Sequence, residues 1–215
     1  MTTALSTAFK EWACVVKALA AGEQILILRK GGVHEKGKKF DVRHAAFFLF
    51  PTYEHQNPAD LNPRGRELLN DILRPTHLRR HPEPTESAKD LELDPSASRP
   101  QDDGRIHICY FAEVVADQWV DDLEKLPALS PFHVWSEEAV RKRFDWGDSK
   151  GLFAIVARVF KLASEHVLEN LPAYGGCRSW VDLKETVDAP LRSRMQPVLS
   201  DESFQKKFKS LKDLL

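Results

Sequence analysis

Apolar residues recur at helical spacing near the start of the chain, from Phe9 to Ala20, which predicts an amphipathic helix. Gly22 is placed to end this helix in the left-handed region. The run at 24–28 is apolar and β-branched without alternation, a pattern typical of a strand covered on both faces. A second apolar run at 45–50 predicts another strand. Pro51 should end it, because proline cannot donate to a ladder.

The same reasoning assigns the remaining elements. They are a helix at 66–73, a strand at 106–114, a helix from a Ser136 cap to about Phe144, strands at 152–162 and 179–183, and a helix after a Ser200 cap. A helix is the alternative for 152–162. No regular βαβ period emerges. The sequence therefore predicts an α+β fold, with a mixed sheet or sheets and peripheral helices. The element order of the second half is also compatible with a small PUA-like barrel.

The character of the chain changes between residues 79 and 104, where prolines are spread among acidic and small residues. Ordered loops rarely reach this length, so the segment predicts a linker or an insertion. It divides the chain into an N-terminal αβ part, 1–78, and a C-terminal α+β part, 105–215. We expect the two parts to pack as one globular body.

Composition narrows the class of protein. The formal net charge is -1, which argues against a globally basic nucleic-acid binder but leaves a local basic patch open. The three cysteines, Cys14, Cys109 and Cys177, form no CxxC pair, so we expect small buried side chains and no zinc knuckle. The start of the chain resembles no signal peptide, and no apolar run is long enough to span a bilayer. These features predict a cytoplasmic protein without membrane contact.

Several well-known motifs are absent from the sequence. It contains no P-loop, no dinucleotide-binding glycine motif, no zincin HExxH and no hydrolase GxSxG. No cofactor is therefore predicted. Candidate chemistry is confined to three polar clusters, each next to an apolar run or a pair of glycines.

The first cluster follows the strand at 24–28 and is rich in lysine and arginine. A strand that ends in a Gly-Gly turn with flanking basic residues suits phosphate groups or a nucleic-acid backbone. The alternative is a solvated hairpin loop whose lysines serve solubility. The candidate phosphate-binding residues are Arg29, Lys30, Gly31, Gly32, His34 and Lys38.

The second cluster follows the apolar run at 45–50 and begins with Thr52. Polar residues at the end of a buried element are a common place for a site. Glu54 and His55 could act as acid and base, whereas Tyr53 and Gln56 could contact a base edge. The alternative is a strand end with ordinary turn hydrogen bonds.

The third cluster contains Gly175 and Gly176, which allow close approach of the backbone to a ligand. Arg178 could pair with phosphate and Trp180 could stack on a base. The alternative is a glycine turn with Trp180 in the core. Cys177 would act as a nucleophile only beside a histidine that lowers its pKa.

Metal binding is not predicted. The set His34, Glu35, His44 and His55 matches no standard ligand spacing. Glu35 remains a candidate catalytic carboxylate together with Glu54 and His55. The pair Asp182 and Lys184 resembles the carboxylate–lysine step of restriction nucleases, but such triplets are frequent by chance.

Four stretches in order, at 8–12, 28–35, 50–56 and 174–181, resemble the bacterial family known as domain of unknown function 1802. The resemblance covers about residues 8–183. The family has no established activity. Some members resemble partners of an Mrr-like restriction endonuclease domain, which implies a role in restriction–modification with this chain as the accompanying module.

Three hypotheses follow. The chain is a nucleic-acid-binding module for DNA or RNA, a nuclease or other phosphodiester- or nucleotide-processing hydrolase, or a regulatory partner protein without its own ligand. Under the first two, Gly31–Gly32, His55 and Gly176 should lie on the same face of the molecule, because the three clusters would then form one site.

Overall fold

A computed structural model describes residues 4–30, 44–74, 104–188 and 195–215. The described strands are β1 (Ala4–Trp12), β2 (Leu26–Arg29), β3 (Ala46–Thr52), β4 (Arg105–Val120), β5 (Leu152–Glu169), β6 (Trp180–Asp188) and β7 (Gln196–Pro197). The described helices are α1 (Ala13–Ala20), α2 (Pro63–Leu73), α3 (Leu126–Leu129), α4 (Glu137–Asp145) and α5 (Asp201–Lys212). Among the described residues, no helix has the length and apolar character that crossing a membrane requires.

The fold is α+β, as predicted, and its described strands form one mixed sheet. The strand order is β2-β5-β4-β3-β1-β6, and β7 pairs with β5 outside this path. β1 and β3 are parallel, whereas the other pairs are antiparallel. The first half of the chain contributes β1, β2 and β3, so strands from the two halves are interleaved across the sheet.

The sheet curls far enough to bring β2 into contact with β1, although three strands separate them in the strand order. Arg29 of β2 donates a hydrogen bond to the carbonyl of Lys10 in β1, and its guanidinium lies 4.8 Å from the Phe9 ring centroid. Strands from both halves of the chain form this barrel-like curl. It brings the end of β2 to the end of β1.

Two apolar clusters lie on the two faces of the curled sheet. The larger contains α1, β2, one face of β3 and parts of α2, α4 and α5. The smaller contains Phe48, Phe50, Phe111 and Phe160. Phe48 and Phe111 meet edge to face with centroids 5.6 Å apart, which is a favoured aromatic geometry.

The first predicted helix is wrong over its N-terminal part. Residues 4–12 form β1, and the helix begins only at Ala13. β1 lies between β3 and β6, so pairing on both edges outweighs the helical spacing. Its residues Ala8 to Glu11 are buried without alternation, which suits an inner strand covered on both sides.

The other predicted elements are found with shifted ends. β3 continues through Pro51 to Thr52, so proline does not end it. The predicted caps are confirmed: Ser136 accepts from the Ala139 amide and Ser200 from the Ser203 amide. Gly22 has φ of 67°, as expected for a left-handed helix end. The segments 31–43 and 75–103, with most of the predicted linker, lie outside the described residues.

Candidate functional site

A cleft opens where β1 and β3 end and β6 begins. Its cavity volume is about 380 Å³, within the size range of small-molecule and cofactor pockets. Because β1 and β3 are parallel, their carboxyl ends meet at one edge of the sheet. The lining residues are Lys10, Glu11, Trp12, Arg29, Lys30, Thr52, Glu54, His55, Gly176, Cys177, Arg178 and Ser179.

The cleft unites the described ends of all three sequence clusters. Arg29 and Lys30 come from the first cluster, Thr52 and His55 from the second, and Gly176 and Arg178 from the third. The expected convergence is therefore observed for His55 and Gly176. The other predicted residues of the first cluster lie outside the described residues: Gly31, Gly32, His34, Glu35 and Lys38.

Lys10 is the buried cation of this cleft, and its side chain fixes the third cluster. Its Nζ donates to the carbonyls of Tyr174, at 2.7 Å, and Gly176, at 3.0 Å. Burial lowers the pKa of Lys10, and the nearby Glu54 carboxylate opposes this shift. The backbone of residues 174–176 is thereby held against β1.

Glu11 and Arg29 form the floor of the cleft. The Glu11 side chain is 2% exposed, and its Oε2 lies 3.1 Å from Arg29 Nη2. The Nη2 group donates its hydrogen bond to the Lys10 carbonyl instead, so the pair is a charge contact. The other oxygen, Oε1, accepts from the Trp12 amide at 2.9 Å.

The loop after β3 contains the second cluster and forms part of one wall of the cleft. His55 has φ of 59°, a conformation that is uncommon for a residue other than glycine. Such backbone conformations are often found at functional sites. Glu54 and His55 are both exposed at the cleft.

Two predicted members of the second cluster do not line this cleft. Tyr53 lines a small adjoining pocket of about 80 Å³. Gln56 accepts a hydrogen bond from the Cys14 amide, 3.2 Å away, in the first turn of α1. This bond holds the loop to α1, and the contact of Gln56 with a base edge stays a prediction.

The adjoining pocket shares the residues Lys10, Thr52 and Glu54 with the cleft. Its wall includes Gly175 of the third cluster and Arg105 of β4. Because Lys10 and its neighbours border both spaces, they form one continuous surface with two lobes.

Lys30 does not have the predicted freedom to bind phosphate. Its Nζ donates to the carbonyls of Phe144, at 2.9 Å, and Gly151, at 2.8 Å, and also to that of Ser149. The ammonium lies 5.4 Å from the ring centroid of Trp119. Lys30 therefore ties the end of β2 to the segment between α4 and β5.

Trp180 is partly buried and packs against the larger apolar cluster, which favours the alternative that the sequence left open. Its ring meets Phe9 and Phe47 with centroids 4.9 and 5.2 Å apart, and His44 at 5.0 Å. These edge-to-face contacts occupy the ring that was a candidate for stacking on a base. The contact with His44 also accounts for one histidine of the unpatterned metal set.

No group of three metal-ligating side chains occurs within the described residues. Asp182 is exposed on β6, and the Lys184 amide donates to the Tyr174 hydroxyl at 3.1 Å. The cysteines differ from the expectation of burial. Only Cys14 is buried, while Cys109 is intermediate and Cys177 is exposed in the cleft.

Sequence reasoning missed Lys10, Glu11 and Trp12, although all three line the cleft. They were assigned to a helix, where Lys10 and Glu11 fall on the polar face. A signal existed in the adjacent pair of opposite charges between the apolar Phe9 and Trp12. Such a pair becomes informative only when the segment is recognised as an inner strand.

The fold and cleft together define an α+β protein with a charged cleft at the carboxyl ends of parallel strands. The family model described as domain of unknown function (DUF1802) matches residues 8–74 and 71–210. The chain belongs to this family. No curated protein matches the sequence.

Three crystal structures of ASCH from Zymomonas mobilis resemble the chain. A serine-to-alanine mutant has a TM-score of 0.43 and 10% identity, and the match covers 98% of this chain and 99% of that one. The ASCH structure itself has 0.41 and 12%, with coverage of 94% and 93%. A tyrosine-to-phenylalanine mutant has 0.41 and 13%, with coverage of 94% and 96%. A similarity this loose carries no information on a ligand.

Proposed function

We propose that the chain is a nucleic-acid-binding module that holds a single strand in the cleft. The observation that carries the proposal is the convergence of the three clusters on one site with a cationic excess. Among the described lining residues, four are cationic and two are carboxylates. A positive field in a concave site favours an anionic ligand. The lining cations are Lys10, Arg29, Lys30 and Arg178.

Arg178 is the residue best placed to contact phosphate. Lys10, Arg29 and Lys30 already donate to backbone carbonyls, so they contribute charge and hold the walls. Arg178 is exposed at the cleft, next to the turn at Gly176. A flexible guanidinium beside an exposed glycine backbone suits a phosphate oxygen.

The dimensions favour a single strand over a duplex. The cleft has a cavity volume of about 380 Å³, of the size that takes a small ligand such as one nucleotide, whereas the adjoining pocket has only about 80 Å³. A duplex needs a groove-sized element or an extended basic surface. We therefore expect one nucleotide of the strand to occupy the cleft, with the adjoining pocket at Lys10 too small for a second.

The proposal is tested by fluorescence anisotropy with labelled single-stranded RNA, single-stranded DNA and duplex DNA across a salt series. We expect the single strands to bind with a steep salt dependence. Arg178→Ala should reduce the slope of log affinity against log salt by about 0.7, the value for one lost contact on a single strand.

Arg66→Ala is the matched control, because Arg66 is exposed on α2 and does not line the cleft. It removes the same charge and should leave the slope unchanged. Equal effects of the two variants would mean that net charge, not the cleft, drives binding. Absence of binding at low salt would refute the proposal.

A phosphodiester hydrolase is the second candidate, favoured by the positive φ of His55 and the position of Glu54 beside it. The same titrations distinguish the two functions when the oligonucleotide is recovered and its length is measured on a denaturing gel. Cleavage by the wild type that is lost in His55→Ala would establish the enzyme. If the strand remains intact, the hydrolase is contradicted and the binding module is the function that remains.

We also propose that the chain acts together with a protein partner. The family resemblance supports a role beside a restriction endonuclease, with the present chain as the module that recognises nucleic acid. Co-purification of the full chain with such an endonuclease tests this part, and loss of the complex at moderate salt would argue against it.

A further inference from the structure

Two polar atoms on the floor of the cleft have no hydrogen-bond partner among the described residues. They are Oε2 of Glu11, an acceptor, and Nε of Arg29, a donor. Both belong to residues that line the cleft. Glu11 Oε2 has a charge contact with Arg29 Nη2 but accepts no hydrogen bond. Buried polar groups are nearly always hydrogen-bonded, so an acceptor and a donor that lack hydrogen bonds on neighbouring residues favour a ligand with matching groups.

Contacts within the protein fix this pair in place. Glu11 Oε1 accepts from the Trp12 amide, which sets the carboxylate plane. Arg29 Nη2 donates to the Lys10 carbonyl and lies 3.1 Å from Glu11 Oε2. The pair therefore presents one acceptor and one donor from a rigid position.

Trp12 supplies a flat apolar surface at the same place. Its half-buried ring lines the cleft, and Trp135 packs against it with centroids 4.8 Å apart. Aromatic rings held in this way are platforms on which nucleobases stack. A planar ligand that also carries a hydrogen-bonding edge fits this combination.

We propose that the floor of the cleft reads one unpaired nucleobase that bears an amino group. The base lies against Trp12, its amino group donates to Glu11 Oε2, and its neighbouring ring acceptor or carbonyl accepts from Arg29 Nε. This inference rests on the proposed function and adds a substrate class to it.

Adenine, cytosine and guanine each present an amino N–H with an acceptor on the same edge, whereas uracil does not. The single edge N–H of uracil lies between two carbonyl oxygens. One of these would face the carboxylate and be repelled. The inference therefore predicts discrimination against uracil at one position of the strand.

The test uses labelled oligouridine strands in which the central nucleotide is cytidine, adenosine, guanosine, uridine or an abasic unit. At fixed salt, we expect the wild type to bind at least one amino-bearing strand about tenfold more tightly than the uridine and abasic strands. Glu11→Gln keeps the size and removes the charge. It should reduce this preference to about twofold, while the all-uridine strand binds at least as tightly.

Glu124→Gln is the matched control, since Glu124 is exposed and does not line the cleft. It should retain the full preference. A ligand-side measurement does not depend on folding of the variant: N4,N4-dimethylcytidine lacks both amino hydrogens and should bind the wild type no better than uridine.

The outcomes separate the two proposals. Salt-dependent binding without any base preference would overturn this inference and leave the proposed function standing. A preference that survives in Glu11→Gln, or with dimethylcytidine, would overturn the role of Glu11. Absence of binding by every strand at low salt would refute the proposed function, and the inference with it.

Discussion

His133 is a histidine enclosed by the protein, with 5% of its surface exposed. Its Nδ1 accepts a hydrogen bond from the Trp135 amide at 3.2 Å, and its carbonyl accepts from Asn62 Nδ2. Burial, and after it the nearby Arg143 guanidinium, lower the pKa of His133 to about 4. The folded protein therefore keeps this imidazole neutral at pH values where an unfolded chain would protonate it.

This depressed pKa predicts a loss of stability in acid. Between pH 6.5 and about 4 the unfolded state binds a proton at His133 that the folded state does not, so the free energy of unfolding falls as pH decreases. The loss should reach roughly 2–3 kcal/mol. Urea unfolding of the wild type and His133→Asn at pH 7.5 and 4.5 measures it. The variant keeps an acceptor for the Trp135 amide, and an equal acid loss in both proteins would contradict the prediction.

At the scale of single residues, the sequence indicated which residues lie at the cleft better than it indicated what each side chain does there. His55, Gly176 and Arg178 lie at the cleft, as their clusters indicated. Lys30 and Trp180 have structural roles, because their partners come from distant parts of the chain. Spacing within a cluster carries no information on such partners.

At the scale of elements, the periodic segments far from β1 were predictable. α4 and α5 have a serine cap, acidic residues in the first turn and basic residues in the last, and each of these signals is local. β1 was not predictable in the same way. Its strand conformation comes from its position between β3 and β6, which are 40 and more than 170 residues away in the chain.

The connection between β2 and the α4–β5 segment depends on Lys30. Because its ammonium satisfies three carbonyls, Lys30→Met should lower the free energy of unfolding by roughly 1–3 kcal/mol. The salt slope of nucleic-acid binding should change less than in Arg178→Ala. Thermal and urea unfolding provide the stability measurement.

Lys142→Met is the control for that variant, since Lys142 is an exposed lysine of α4 paired with Glu138. Fully exposed ion pairs of this kind contribute little to stability, so the effect of this variant should be small. Equal destabilisation by the two variants would show that the carbonyl contacts of Lys30 do not stabilise the fold.

At the scale of the whole molecule, the sheet joins the two halves of the sequence. β3 from the first half lies between β4 and β1, and β6 from the second half pairs with β1. The longest pairing, between β4 and β5, extends from Arg105–Glu169 to Val120–Leu152. The α+β class was predictable from irregular alternation of elements. The strand order was not, because it depends on pairings between segments remote in sequence.

This interleaving predicts that the chain unfolds as one cooperative unit. Each half loses some of its hydrogen-bonded strand neighbours without the other, because β2–β5, β3–β4 and β1–β6 all pair across the halves. Unfolding followed by far-UV circular dichroism and by tryptophan fluorescence should therefore show coincident midpoints. Phe47→Leu weakens the packing of β3 against Phe9 and Trp180, at a cost of roughly 1 kcal/mol. Because Phe47 belongs to the first half and four of the five tryptophans to the second, both midpoints should decrease by the same amount. A shift in circular dichroism without a matching shift in fluorescence would mean that the halves unfold separately. The cleft would then lie between two units instead of within one, because β1 and β3 contribute one wall and the segment before β6 contributes the other.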